Sequence, residues 1–303
     1  MDSTLVVIAG PTGVGKTRVS LETARHFGTE ILSADSRQMY REMRIGTAVP
    51  SMEELALVRH HFIGNLSISD YYNASRYEEE AIALLNRLFR RSPVVVLTGG
   101  SMLYVDAVCN GIDDLPTIDP LIRDQLLRQY HREGIGSLRE LVRQLDPEYY
   151  RTVDPDNPKR LLHALEICMM TGKPYSSFLK REKKQRSFRI LKCGLNMDRK
   201  SLYEQINRRV DEMVAAGLEE EARGLFPFRS LNALNTVGYR EWFSFFDGAC
   251  TREETIAQIK SNTRRYARKQ LTWFRRDQAI TWFHPDETEK LITFIEKEIK
   301  PAK

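Results

Sequence analysis

The chain holds 303 residues with 46 lysines and arginines against 41 aspartates and glutamates, for a formal net charge of +5 and a pI near 8.9. That length buries a sizeable core, as one large domain with an insertion or as two domains, and basicity this mild makes the distribution of charge more telling than its total. No apolar stretch is long enough to cross a bilayer, a strand begins too near the first residue to leave room for a signal or transit peptide, and Cys109, Cys168, Cys193 and Cys250 lie far apart without a C-x-x-C pair; the expectation is a cytoplasmic protein with free thiols and no membrane partner.

The first element is a short apolar run, Leu5-Val6-Val7-Ile8, which reads as a buried parallel strand. It leads into Gly10-Pro11-Thr12-Gly13-Val14-Gly15-Lys16-Thr17, a full match to the phosphate-cradling pattern G-x-x-x-x-G-K-[ST]. Arg18 to Phe27 follows as a helix. Strand, glycine loop and helix together aim backbone amides and the positive end of the helix dipole at an anion. Lys16 adds a full charge and Thr17 a hydroxyl for a metal ion. A second strand, Glu30 to Ser33, ends at Asp35. A carboxylate there sits at the ligand edge of an open α/β sheet, beside the phosphate loop, or it serves as a helix N-cap; spacing alone leaves both open.

Ser51 to Val58 reads as a short helix, and His60-His61 as a strand entry whose side chains point to opposite faces, a poor metal pair. Tyr77 to Arg90 is an amphipathic helix, and Pro93 to Thr98 a fully apolar strand that belongs in the middle of the sheet. That strand ends in Gly99-Gly100-Ser101 and lacks the metal-binding acid that many P-loop ATPases carry there, which weakens ATP hydrolysis as a function. From Leu115-Pro116 to about Gln185 the patterns are helical only: Leu121–Glu133, Gly136–Leu145 and Lys159–Thr171, the last closed by Gly172. Lys180 to Lys192 carries seven basic residues against one Glu. Ile190 to Leu195 returns as a strand, and Ser201 to Ala216 is a helix with Arg208 and Arg209 in its middle. Thr251 to Arg276 is one long helix with an apolar stripe through Ile256, Ile259, Tyr266 and Trp273. Lys260, Arg264 and Arg268 share a face of it. Such a face is either simply solvated or meets a polyanion; two basic segments, one with Trp273 and Phe274 among its arginines, favour the polyanion.

Several motifs in this order carry a family resemblance: the loop Gly10–Thr17; D-S-R-Q-M-Y-R at Asp35–Arg41; I-G-T-A-x-P at Ile45–Pro50; G-G-S-x-L-Y at Gly99–Tyr104; D-N-P-K-R-L-L-H-A-L-E at Asp156–Glu166; V-G-Y-R-E at Val237–Glu241; and T-R-R-Y-A-R-K-Q-L-T-W-F-R at Thr263–Arg275. On these the chain resembles, nearly end to end, the bacterial tRNA dimethylallyltransferases, also called tRNA isopentenyltransferases. The resemblance implies a P-loop α/β core with a parallel sheet flanked by helices (residues 1–115 and 186–303) and an all-helical insertion (116–185) that grips the anticodon stem-loop of tRNA. It implies transfer of a dimethylallyl group from dimethylallyl diphosphate to N6 of the adenosine 3′ of the anticodon. Asp35 matches the family's general base. Lys16, Thr17 with Mg²⁺, and Arg209 match the groups on the diphosphate; Arg208 points about 100° away on its helix. By the same resemblance Asp35, Ser36, Arg37 and Gln38 meet the flipped base, and Ser101 and Arg123 help hold the RNA. Lys159, Arg160, Leu161, Leu162 and His163 touch the anticodon loop. Asn235, Thr236, Val237, Gly238, Tyr239 and Arg240, in a stretch running to Trp242, face the RNA backbone with Arg268, Lys269, Gln270, Trp273 and Arg275.

Two departures stand out. Met102 replaces the family's usual glycine and excludes easy access to φ > 0, so the local loop is expected to differ. No Cys/His finger follows the core, so RNA binding falls to core and insertion. The rivals are a P-loop small-molecule kinase, against which the basic segments and the long insertion argue, and an RNA-binding NTPase switch, which is expected to carry an acid after Leu97. Basic helices suit a monomer on one RNA.

Overall fold

The computed structural model describes the chain except residues 1–2, 114, 117–118, 180–182 and 300–303. Part of the expected break near Pro116, and Lys180 and Arg181 of the first basic segment, therefore lie outside the described residues. The chain divides into two compact units, one of Met1–Asn110 with Gln185–Lys303, the other of Gly111–Lys184.

The larger unit begins β1 (Thr4–Ala9), α1 (Lys16–His26), β2 (Ile31–Ser33), α2 (Met52–Leu57), β3 (His60–His61), α3 (Ala74–Leu88), β4 (Val94–Gly99) and α4 (Met102–Asn110). The smaller unit supplies α5 (Pro120–Glu133), α6 (Ile135–Leu145), α7 (Pro147–Tyr150) and α8 (Pro158–Thr171). The larger unit then resumes with β5 (Arg189–Leu195), α9 (Arg199–Ala215), α10 (Leu218–Leu225), α11 (Tyr239–Phe246), α12 (Arg252–Phe274), β6 (Ile280–Phe283) and α13 (Thr288–Ile299).

The six strands form one sheet in the order β3-β2-β4-β1-β5-β6, and every pairing in it is parallel. The apolar runs of β1, β2 and β4 follow from burial on both faces. β1 is buried along its whole length and sits between β4 and β5, with Ala9 in register with Gly99 and Gly194. The carboxyl ends of β1, β4 and β2 therefore open onto one edge of the sheet. Val6 and Ile8 of β1, Val19 and Ala24 of α1, Cys193 and Leu195 of β5, Ile206 of α9 and Leu291 and Ile295 of α13 share one core. Met102 opens α4, and among the described non-glycine residues only Ala48 and Phe62 have positive φ. The side chain at 102 thus sits at a helix start whose backbone does not require glycine.

Among the described cations of the first basic segment, three are held by acids of this chain. Arg186, only 9 % exposed at its side chain, lies 2.8 Å from the buried Glu78 carboxylate and donates to the carbonyls of Ala107 and Val108 at the end of α4. Arg189 pairs with Glu298 and Lys192 with Asp277, both at 2.6 Å. Sequence position groups these cations; the fold hands them separate acids. In the smaller unit the described residues form helices and turns without a strand. Leu126, Leu138, Val142, Leu161 and Leu165 are its core.

Candidate active site

The loop after β1 turns through left-handed backbone at Gly13 (φ +81) and Gly15 (φ +95), a region closed to most side chains. Gly15 caps α1 without any side-chain cap bond, so the first-turn amides of that helix keep their donors for an anion. Lys16 folds back over the loop: its Nζ donates to Gly10 O at 3.0 Å and Pro11 O at 2.8 Å. Burial, with the Arg209 charge as a second cause, pulls the Lys16 ammonium down to about 7, while Asp35 acts in the opposite direction. Arg209 reaches the loop from α9, its Nη1 donating to Thr12 Oγ1 at 3.3 Å. Burial lowers its pKa and Asp35 raises it. Arg208 points away, exposed, with its Nε 3.7 Å from Glu212.

Asp35 follows β2 and shapes the next turn. Its Oδ1 accepts from the amides of Arg37 (2.9 Å) and Gln38 (3.4 Å). Both readings left open by spacing are therefore compatible: one oxygen caps a turn, and the carboxylate as a whole lies within electrostatic reach of Lys16 and Arg209. Ser101 ties this turn to the end of β4. Its Oγ accepts from Ser36 N at 2.8 Å and its amide donates to Ala34 O at 3.1 Å.

Several residues expected at the RNA surface turn inward. Gln270 is 1 % exposed; its Oε1 accepts from Thr12 N at 2.9 Å and its Nε2 donates to Gly100 O at 2.8 Å. It braces the phosphate loop against the β4 loop, and its burial keeps the amide from a nucleic acid backbone. Tyr239, Trp242 and Leu161 are fully buried. Gly238 is buried as well, its amide donating to Glu241 at the start of α11. Asn235, Arg240, Arg268, Lys269, Trp273 and Arg275 are exposed, and Thr236 and Val237 half-buried. The apolar stripe of α12 is also differently placed: Thr255, Ile259, Ala267, Gln270 and Phe274 face the core, whereas Tyr266 and Trp273 remain 36 % and 39 % exposed. A seven-residue repeat drifts around a 3.6-residue helix, so it does not follow the buried side for long. Lys260, Arg264 and the exposed Arg268 each reach α9, through Asp211 (2.6 Å), Asn207 (2.6 Å) and Tyr203 (2.8 Å).

Tyr266 went unremarked in sequence except as an apolar position. Enclosure of its hydroxyl, with the Asp35 carboxylate as a further cause, raises its pKa to about 12, while the Arg37 charge and hydrogen bonds with Ser101 and Gln270 work against the rise. In the smaller unit, Lys159 and Arg160 are exposed and Leu162 half-buried. Arg123 Nε and His163 Nδ1 flank the buried Glu166 carboxylate at 3.5 and 3.6 Å. That acid was visible only as the last letter of a motif.

The arrangement in the larger unit can bind a diphosphate on loop amides, Lys16 and Arg209, and offers a carboxylate close by. The family model described as IPP transferase matches residues 38–277. The chain is 54 % identical over 297 residues to tRNA dimethylallyltransferase 2 of Parabacteroides distasonis, covering 98 % of this chain and 99 % of that one. It is 55 % identical over 295 residues to tRNA dimethylallyltransferase 1 of Phocaeicola vulgatus, covering 97 % and 98 %. Among solved structures it resembles the tRNA isopentenylpyrophosphate transferase of Bacillus halodurans, with a TM-score of 0.71, 35 % identity and coverage of 98 % and 96 %. It also resembles a eukaryotic dimethylallyltransferase acting on tRNA, with a TM-score of 0.74 and 25 % identity over 89 % of this chain and 69 % of that one. The loop geometry, the all-parallel sheet and these similarities over nearly the whole length agree: the chain belongs to the IPP transferase family.

Proposed function

We propose that this enzyme transfers a dimethylallyl group from dimethylallyl diphosphate to N6 of the adenosine 3′ of a tRNA anticodon, releasing diphosphate and leaving N6-isopentenyladenosine. The observation that carries the reading is the loop itself: its helix amides are uncapped, Lys16 folds over it, Arg209 donates to Thr12 within it, and Asp35 caps the turn that follows β2. The C1–O bond of the donor breaks as the N6–C1 bond forms, and the proton lost from N6 goes to Asp35. The adenine amine is a weak nucleophile because its lone pair is delocalised, so a positioned base contributes. Loop amides, Lys16 and Arg209 stabilise the charge that builds on the departing oxygens.

Among the described residues no group of three or more His, Cys, Asp and Glu side chains could hold a metal by itself. The donor set at the loop is the single Thr17 hydroxyl, which fits a magnesium ion that keeps its waters and is otherwise bound by substrate phosphate. Such an ion would neutralise charge on the diphosphate.

The base leaves its stack to reach Asp35, as chemistry on a base edge requires, and Asp35 to Gln38 receive it. Lys159, Arg160 and His163 meet the anticodon loop, and Lys269, Trp273 and Arg275 the backbone. The enzyme acts as a monomer in the cytoplasm; three buried free cysteines, Cys109, Cys168 and Cys193, suit a reducing compartment. No helix among the described residues is long and apolar enough to cross a membrane.

The test is to incubate the protein with magnesium, unmodified tRNA and either dimethylallyl diphosphate or ATP, then digest the RNA and weigh its nucleosides. The expected result is an adenosine heavier by one dimethylallyl group with the prenyl donor alone. Absence of that product overturns the proposal.

A further inference from the structure

Two motifs take no part in the chemistry above: I-G-T-A-V-P at Ile45–Pro50 and V-G-Y-R-E at Val237–Glu241. Glu221, on α10, joins them. Its Oε2 accepts from the amides of Arg44 at 2.9 Å and Ile45 at 2.8 Å. Its Oε1 accepts from the Gly46 amide at 2.9 Å and the Tyr239 hydroxyl at 2.6 Å. Three successive amides thus close on one carboxylate, with a buried phenol as fourth donor, which fills the four acceptor sites of the group. Residue 46 has to be glycine in this packing, because a Cβ there would lie 2.6 Å from Tyr239 Cζ.

The loop held this way acts back on the site. Thr47 O and Ala48 O accept both protons of the Gln38 amide, at 3.1 and 2.9 Å. The Gln38 Oε1 accepts only a longer bond, 3.3 Å, from Ser33 Oγ. The nitrogen end of the amide is consumed, and the oxygen end retains acceptor capacity. Gln38 belongs to the turn capped by Asp35.

We infer that Glu221 is a positioning residue for the RNA half of the reaction: it holds loop 44–48 so that Gln38 presents its carbonyl oxygen to the target base. Without the carboxylate, three amides and a hydroxyl lose their common acceptor, the Thr47 and Ala48 carbonyls shift, and the Gln38 amide is free to rotate and offer donors instead. An adenine presents an exocyclic amine, which needs the acceptor. This inference rests on the reading that Gln38 touches the base.

The test is a double-mutant cycle on the full-length enzyme with Glu221→Gln, Gln38→Ala and the pair, reading kcat/KM for unmodified tRNA, the affinity for inorganic diphosphate, and the thermal midpoint. Each single change is expected to lower kcat/KM for tRNA by about ten-fold or more, and the pair to fall no further than the worse single, because both remove the same presentation. Diphosphate affinity is expected to stay level throughout, which a general loosening of the fold would not allow. A Gln38→Ala enzyme with full activity overturns the reading of Gln38 and with it the relay. A damaging Gln38→Ala whose effect multiplies fully with Glu221→Gln overturns the relay alone. Should Glu221→Gln not fold, Tyr239→Phe, which removes one of the four donors, runs the same cycle with Gln38→Ala and the same two criteria.

Discussion

At the residue scale, Asp35 has two duties on one side chain, and the choice of substitution decides which is measured. Asp35→Asn keeps an Oδ1 acceptor for the Arg37 and Gln38 amides but removes the basic oxygen. Its expected effect is a fall in kcat of roughly 10²-fold or more, the usual worth of a general base, with tRNA affinity and thermal midpoint retained. Asp35→Ala adds the loss of the turn, about 1 kcal/mol per abandoned hydrogen bond. An Asn variant with wild-type turnover in single-turnover assays would remove Asp35 from the chemistry. Lys16 carries a different signature. Burial lowers it from the ordinary value of 10.5 to about 7. Between those pH values the folded chain binds fewer protons than the unfolded chain, so this group's contribution to stability rises with pH across that window. A bound diphosphate reverses the preference and recharges the ammonium. At a pH well above 7, binding of inorganic diphosphate should therefore take up roughly one proton more than it does in Lys16→Arg, whose guanidinium is always charged. Calorimetry in buffers of different ionisation enthalpy measures the difference; equal uptake by both proteins would show that Lys16 is already charged in the free enzyme.

At the element scale, α12 joins catalysis and architecture through Gln270. Gln270→Leu keeps the volume but orphans the Thr12 amide and the Gly100 carbonyl, at about 1–3 kcal/mol for each buried group left unpaired. The expected outcome is a lower thermal midpoint together with weaker dimethylallyl diphosphate binding, because Thr12 sits in the phosphate loop. A drop in stability with unchanged donor affinity would confine Gln270 to packing. The same helix marks where sequence reasoning ends. β1, β2 and β4 were legible because buried parallel strands are continuous apolar runs, and the loop after β1 because its glycines serve a conformation that few other residues adopt. β6 is half-exposed and α10 and α11 are eight residues each, too little periodicity to read. On α12 the buried row passes through Thr255, Ala267 and Gln270, residues that carry little apolar signal, while the exposed Tyr266 and Trp273 carry the most. The partners of Gln270, and the loop amides that close on Glu221, lie more than a hundred residues away, so those hydrogen bonds follow from tertiary packing alone. Asp35, by contrast, could be named from its motif and Arg209 from the family resemblance, though not the sharing of the Asp35 oxygens.

At the scale of the whole molecule, the count of basic residues overstates the charge available to RNA. Arg186, Arg189 and Lys192 are paired with internal acids, Lys260 is paired with Asp211, and Arg264 and Arg268 are engaged with α9. The exposed cations that remain for a polyanion include Lys159 and Arg160 in the smaller unit and Lys269 and Arg275 in the larger. Each cation that neutralises a phosphate steepens the fall of log K with log salt by somewhat under one. Removing Lys159 and Arg160 together should make that slope shallower by roughly one to two, and removing Lys269 and Arg275 should do the same. If both units hold the same RNA at once, the four-fold variant loses the sum of the two slope changes. Donor affinity, read in parallel, should not change in any of these variants. Filter binding of unmodified tRNA over a potassium chloride series reads all three variants. A four-fold variant no shallower than either pair would mean that only one unit engages RNA. A slope change for Lys260→Ala as large as that for Lys269→Ala would mean that the Asp211 pair opens when RNA arrives, and the pairing would then be a resting state instead of a permanent tie between α12 and α9.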